Sequence, residues 1–140
     1  YSSVEMGKGG GYVAIEKSTS RHKPEELESA RILADKGYKV TLKNEAGLGH
    51  KIKTPDGYLF SASFEQRTPK GNTDINIRSS LYHVRDKKAD VPVLYMKGSG
   101  HTRQSVENGI RAFESASKYR FKHIIVVTGD GRIHRHKHNK

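Results

Sequence analysis

The chain has no cysteine and no tryptophan, only four prolines, and no apolar run near the roughly 18 residues that cross a bilayer. Without cysteine there is neither a disulfide framework nor thiolate chemistry, so the fold is compatible with either redox compartment. No signal-like apolar core follows the N-terminus, and the chain is expected to be soluble with no membrane anchor. Acids are scarce as well: 15 Asp and Glu face 26 Lys and Arg over 140 residues, a net charge of +11. Residues 1 to 70 hold 12 basic and 9 acidic side chains, whereas residues 71 to 140 hold 14 and 6. Such a surface attracts a polyanion, because each phosphate it neutralises releases counterions. Nucleic acid is therefore the expected partner, ahead of an acidic protein. The length suits one domain, which buries roughly two-thirds of its unfolded surface. Beginning at Tyr1 rather than Met, the chain reads as a piece of a longer polypeptide.

Along the chain, residues 1–23 read as a flexible lead-in or edge strand, the latter at Tyr12-Val13-Ala14-Ile15, and residues 24–140 as a single domain. Pro24 suits a first helical turn, with Glu25 and Glu26 placed where the helix dipole favours acids. Leu27, Ala30, Leu33 and Ala34 recur at helical spacing, and Gly37 closes the segment. Strands are expected at Lys39 to Leu42, Lys51 to Lys53 and Tyr58 to Arg67, the last interrupted near Ser61. A second helix is expected from Asp74 to about Lys87, and a strand at Val93 to Met96. A third helix capped by Thr102 runs to about Tyr119 on the stripe Val106, Ile110, Phe113, Ala116. Two apolar or alternating runs around Gly129-Asp130-Gly131 close the chain. The order α-β-β-β-α-β-α-β predicts an α/β (α+β) fold, a mixed sheet flanked by helices.

Pro55-Asp56-Gly57 sets a carboxylate at a turn, and Glu65-Gln66-Arg67 sets an acid and a cation on one face of the following strand. Two acids and a cation converging at a sheet edge are able to hold a divalent metal and steady a phosphate. Each acid alone has an ordinary explanation, a Pro-Asp-Gly turn for Asp56 and an exposed strand position for Glu65.

A helix with N-terminal acids, the Gly37-Tyr38 corner, a strand, the Pro55-Asp56 turn and a strand carrying Glu-x-basic resemble the PD-(D/E)xK nuclease superfamily in motif and order. The resemblance implies Asp56 and Glu65 as ligands of a divalent metal, Mg²⁺ in the first instance, and Glu26 as an auxiliary acid. It departs where Lys is expected and Arg67 stands, since guanidinium clamps a phosphate but cannot act as a base. Lys70 is the nearest amine. The segments Glu28 to Val40, Pro55 to Lys70 and Ala89 to Leu94 also resemble the C-terminal toxin domains of contact-dependent growth-inhibition and related polymorphic toxins. That resemblance implies a tRNA nuclease delivered as the end of a larger secreted or surface protein and acting in the target-cell cytoplasm. It also implies a cognate immunity protein and, in some lineages, a translation elongation factor as partners.

His134, His136 and His138 alternate and share one side of a strand, with Arg132 on the same side. An imidazole and a cation beside a scissile phosphate cleave RNA without metal. This supports a second reading, a His-dependent RNase of the barnase, EndoU and colicin-like grouping, with His134 as its leading catalytic residue and that toxin fold as the alternative architecture. His50 and His101 are further candidates. Gly98-Ser99-Gly100-His101-Thr102 reads as a loop and helix cap, and Tyr58, Phe64, Tyr82 and Tyr95 as packing aromatics with base stacking the alternative. A DNase and a non-catalytic basic RNA-binding module are the remaining alternatives.

Overall fold

A computed structural model describes residues 3–15, 24–42, 57–60, 62–71, 73–97 and 100–137. Its elements are β1 (Ser3–Met6), β2 (Tyr12–Ile15), α1 (Pro24–Asp35), β3 (Lys39–Leu42), β4 (Gly57–Leu59), β5 (Ala62–Arg67), α2 (Asp74–Asp86), β6 (Val91–Tyr95), α3 (Arg103–Ser117), β7 (His123–Val127) and β8 (Ile133–Lys137). The strands form one eight-stranded sheet in chain order. Pairs β2–β3, β5–β6 and β6–β7 are parallel and the others antiparallel. This is the mixed α+β architecture expected, and the run from α1 to β7 has the expected order.

Local chemistry accounts for the helices. Gly37 takes φ 97°, which lets its N–H donate to Ala34 O and the Tyr38 N–H to Leu33 O, closing α1. At the start of α2, Asn76 Oδ1 accepts from the Thr73 N–H and hydroxyl. At the start of α3, the Ser105 N–H donates to Thr102 Oγ1 while the Thr102 N–H donates to Ser105 Oγ. Gly109 is where α3 meets α2: a Cβ there would lie 2.5 Å from Ile77 Cβ and 2.9 Å from Asp74 O.

One strand expectation differs from the structure, and another is refined by it. Tyr12–Ile15 is an inner strand, because the turn closed by Gly7 N–H to Gly11 O folds β1 against its outer side. The expected interruption near Ser61 is a reversal, so that Tyr58 to Arg67 is two antiparallel strands. The chain reverses after Leu59 with Phe60 at φ 56°, its N–H held by Lys39 O. The expected strand at 51–53 and the Pro55-Asp56 turn lie outside the described residues. Gly57 opens β4 opposite Leu42, so close to β3 that any Cβ would overlap Thr41 O.

The sheet separates two cores. On one face Leu33 and Ala34 of α1 pack on Val40, Leu42, Phe64, Val93 and Ile125. On the other, Ile77, Leu81 and Val84 of α2 and Ile110 and Phe113 of α3 pack on Leu94 and Ile124. Each fully buried Leu, Ile or Phe contributes about 1.5–3 kcal/mol relative to exposure. Arg135 of β8 stands 5.9 Å from the Tyr38 ring beside β3. Five strand spacings of about 4.8 Å separate β3 from β8, so the sheet must curl around α1.

Candidate active site

Pairing rows across the sheet locate the side chains. Arg67, Leu94, Val126 and His134 lie in one row, and Ile124 pairs with His136 in the neighbouring row on the same face. Gln66, Val93, Ile125 and Arg135 form the intervening row, which points to the α1 side. Glu65, Arg67, His134 and His136 therefore share the face covered by α2 and α3. They do not share a centre: β5 and β8 are three strand spacings apart, about 14 Å along the sheet.

Glu65 is buried, 4% exposed, and its Oε2 lies 3.3 Å from His83 Nε2 of α2. Arg67, two residues on, has its Nε buried without a hydrogen-bond partner. Asp56 lies outside the described residues. Among the described residues no group of three His, Cys, Asp or Glu is placed to hold a metal. Magnesium takes oxygen donors and keeps several waters, whereas Glu65 offers one enclosed carboxylate against an imidazole. Of the two expected oxygen ligands, Glu65 is the one that lies among the described residues. Glu26 stands on α1, on the opposite side of the sheet from Glu65.

Lys70 is exposed in the loop after β5. That loop meets the one before α3, where the Gly100 N–H donates to Gly71 O over 3.0 Å. Both lie at the carboxyl ends of parallel strands, where open α/β sheets bind ligands. A cleft of about 520 Å³ opens there between the first turns of α3 and β7–β8. Its walls include His101, Arg103 and Glu107 from the α3 side and Thr128, His134 and His136 from the sheet side. His101 Nδ1 lies 3.2 Å from Ser105 Oγ, which orients the ring from the helix start. Arg103 Nε sits 3.3 Å from Glu107 Oε1 at the rim, with its side chain 91% exposed. His134 is exposed and His136 half-buried. His50 and His138 lie outside the described residues.

Sequence reasoning missed two groupings. His83 was assigned only to the second helix, and nothing local marks it as the partner of Glu65. Glu28 of α1 accepts from the Tyr95 hydroxyl at 3.1 Å and from Lys97 Nζ at 2.6 Å. The Lys97 hydrogen bond holds the Glu28 carboxyl below its usual value, and the same bond raises Lys97. Burial, then Glu28, raises the Tyr95 phenol. The 67-residue separation of Glu28 from Tyr95 hides this grouping from any local pattern. Of the four aromatics weighed for stacking, Phe64 is core on the α1 face, Tyr95 is buried on Glu28, and Tyr82 packs edge-on against Phe113.

No protein-family model matches the chain, and no curated protein matches it. Among solved structures, the CdiA-CT/CdiI toxin and immunity complex from Burkholderia pseudomallei is similar, with a TM-score of 0.65 at 23% identity, covering 89% of this chain and 98% of that one. The likeness establishes the fold that the two chains share.

Proposed function

We propose that this chain is the toxin domain of a contact-dependent growth-inhibition system and acts as an endoribonuclease on tRNA, cutting in the cleft between α3 and β8. The observation that carries the reading is the cleft itself, which gathers His101, His134, His136 and Arg103 at the carboxyl ends of the strands. The fold shared with a chain of a toxin and immunity complex supports the toxin assignment. In the same reading the chain is neutralised by a cognate immunity protein and is delivered as the end of a larger protein into the target cytoplasm. An elongation factor is the host partner to test.

In this reading one imidazole of the His134 and His136 pair takes the proton from a ribose 2′-hydroxyl, and the 2′-oxygen attacks phosphorus. The bond from phosphorus to O5′ breaks as the other imidazole delivers a proton to O5′. The products are a 2′,3′-cyclic phosphate and a 5′-hydroxyl. Arg103 stabilises charge on the phosphoryl oxygens. His101 lines the opposite wall and contacts the substrate from the helix start.

A second reading rests on the enclosed Glu65 with Arg67 on the same face. In it Glu65 and Asp56 bind Mg²⁺, and Arg67 and Lys70 contact phosphate. Purified chain incubated with total bacterial tRNA, with Mg²⁺ or EDTA and with or without cytosolic extract, separates the two. Cleavage that survives EDTA and is lost in His134→Gln supports the cleft. EDTA-sensitive cleavage that survives His134→Gln favours Glu65 and Asp56, and cleavage only with extract requires a host factor. No cleavage under any condition returns the chain to a basic RNA-binding module.

A further inference from the structure

On the α1 side of the sheet, away from the histidine cleft, an aromatic pair meets a cluster of cations. Phe60 occupies the β4–β5 turn with its side chain in solvent, the residue being 61% exposed. Its backbone is left-handed, φ 56°, a conformation that costs a bulky residue roughly 1–2 kcal/mol and favours Gly or Asn. Solubility and turn geometry both argue against phenylalanine here, so an exposed ring at a strained position calls for a role. Its centroid lies 6.0 Å from that of Tyr38 at 45°, and Tyr38 is anchored against the α1 core. The Arg135 guanidinium stands 5.9 Å from the Tyr38 ring. Lys137 is paired with His123 in the adjoining row on the same face.

We infer that Phe60 and Tyr38 form a stacking platform for an unpaired nucleobase, with Arg135 and Lys137 holding the flanking phosphates. An aromatic face takes any base, and cations beside it track the backbone, which is how single-stranded nucleic acid is bound without sequence readout. The net charge of +11 favours a polyanion over an apolar protein surface as the occupant. β8 joins the two regions: His134, Arg135 and His136 all border the cleft, and the Arg135 guanidinium also reaches the Tyr38 ring of the platform. A strand of RNA lying across β8 would touch both. The inference deepens the ribonuclease reading by naming single-stranded substrate as what the second face grips, and its test does not depend on cleavage.

A fluorescein-labelled 2′-O-methyl oligouridine, which lacks the attacking hydroxyl, and an abasic sugar-phosphate oligomer of equal length are titrated against the full chain at one salt concentration. Phe60→Asn keeps a residue that tolerates the left-handed turn and removes only the ring. It is expected to weaken the base-bearing oligomer about tenfold and to leave the abasic one within about twofold, while Phe60→Trp retains the preference for bases. Arg135→Gln is expected to weaken both oligomers. Unchanged affinity in Phe60→Asn, or equal losses for the two oligomers, would overturn the platform. So would a Phe60-dependent dimer in sedimentation that the oligouridine fails to dissociate, which would make the patch a contact between copies. Base preference in a chain that never cleaves RNA leaves the platform standing and removes the nuclease reading. tRNA cleavage without base preference removes the platform alone.

Discussion

His134 and His136 reach the cleft because alternate residues of β8 point to one side, and the α3 start supplies the opposite wall. Losing a general acid or base typically costs about 10²–10⁴-fold in rate, so His134→Gln should lower tRNA cleavage by that order with an unchanged thermal midpoint. Glu65 gives the contrasting case. As the buried member of a pair whose His83 side chain is 38% exposed, its change to Gln should cost about 1–2 kcal/mol in denaturant unfolding and leave cleavage near wild type. Loss of cleavage with stability retained would instead mark a metal ligand. His123 carries a pH signature: burial first, then Arg135, Lys137 and Lys122, hold its pKa below the ordinary value. As pH falls through the ordinary histidine range the unfolded chain takes up a proton that the folded chain refuses, so stability drops. His123→Gln should remove that part of the drop, read as a flatter thermal midpoint between about pH 7 and pH 5.

Between elements, the closest approach lies at Gly109, where α3 crosses α2. Adding a methyl group must push Ile77 aside and crowd the Asp74 carbonyl, so Gly109→Ala should destabilise by about 1–3 kcal/mol in denaturant unfolding, despite alanine's better helix propensity. A stabilised protein would mean that the helices stand farther apart. The Glu28 contact ties α1 to the end of β6. Because the Lys97 hydrogen bond lowers the Glu28 pKa, its stabilisation is complete above the ordinary carboxyl range and is lost as pH falls through the depressed value. Glu28→Gln should accordingly flatten the acid side of the stability profile.

At the scale of the whole chain, the described residues form an eight-stranded sheet with α1 on one face and α2 and α3 on the other, and the excess positive charge lies toward the C-terminal half. If it grips single-stranded RNA through about four phosphates, affinity should fall roughly 50-fold between 50 and 200 mM salt, seen as a linear log–log plot. A flat plot would place binding in apolar contacts and undo the polyanion argument.

Much of this was legible from residue order, because helix and strand periodicity are local. Pro24 with two acids, the Gly37 closure, the Thr102 cap and the Lys39 to Leu42 strand all follow from contacts within a few residues. The break near Ser61 was legible but its reversal into a hairpin was not, since Phe60 contradicts turn preference and its hydrogen bond goes to Lys39 across the sheet. Composition also sufficed to propose a polyanionic partner, as charge adds up whatever the fold. Which charges and rings work together was a matter of sheet register and curl. Strand pairing put Glu65 and His134 on one face yet about 14 Å apart, dividing chemistry that residue spacing alone left undivided. It brought His101 to His136 across a cleft and Arg135 to Tyr38 across five strands, because pairing in three dimensions, not distance along the chain, sets which side chains meet.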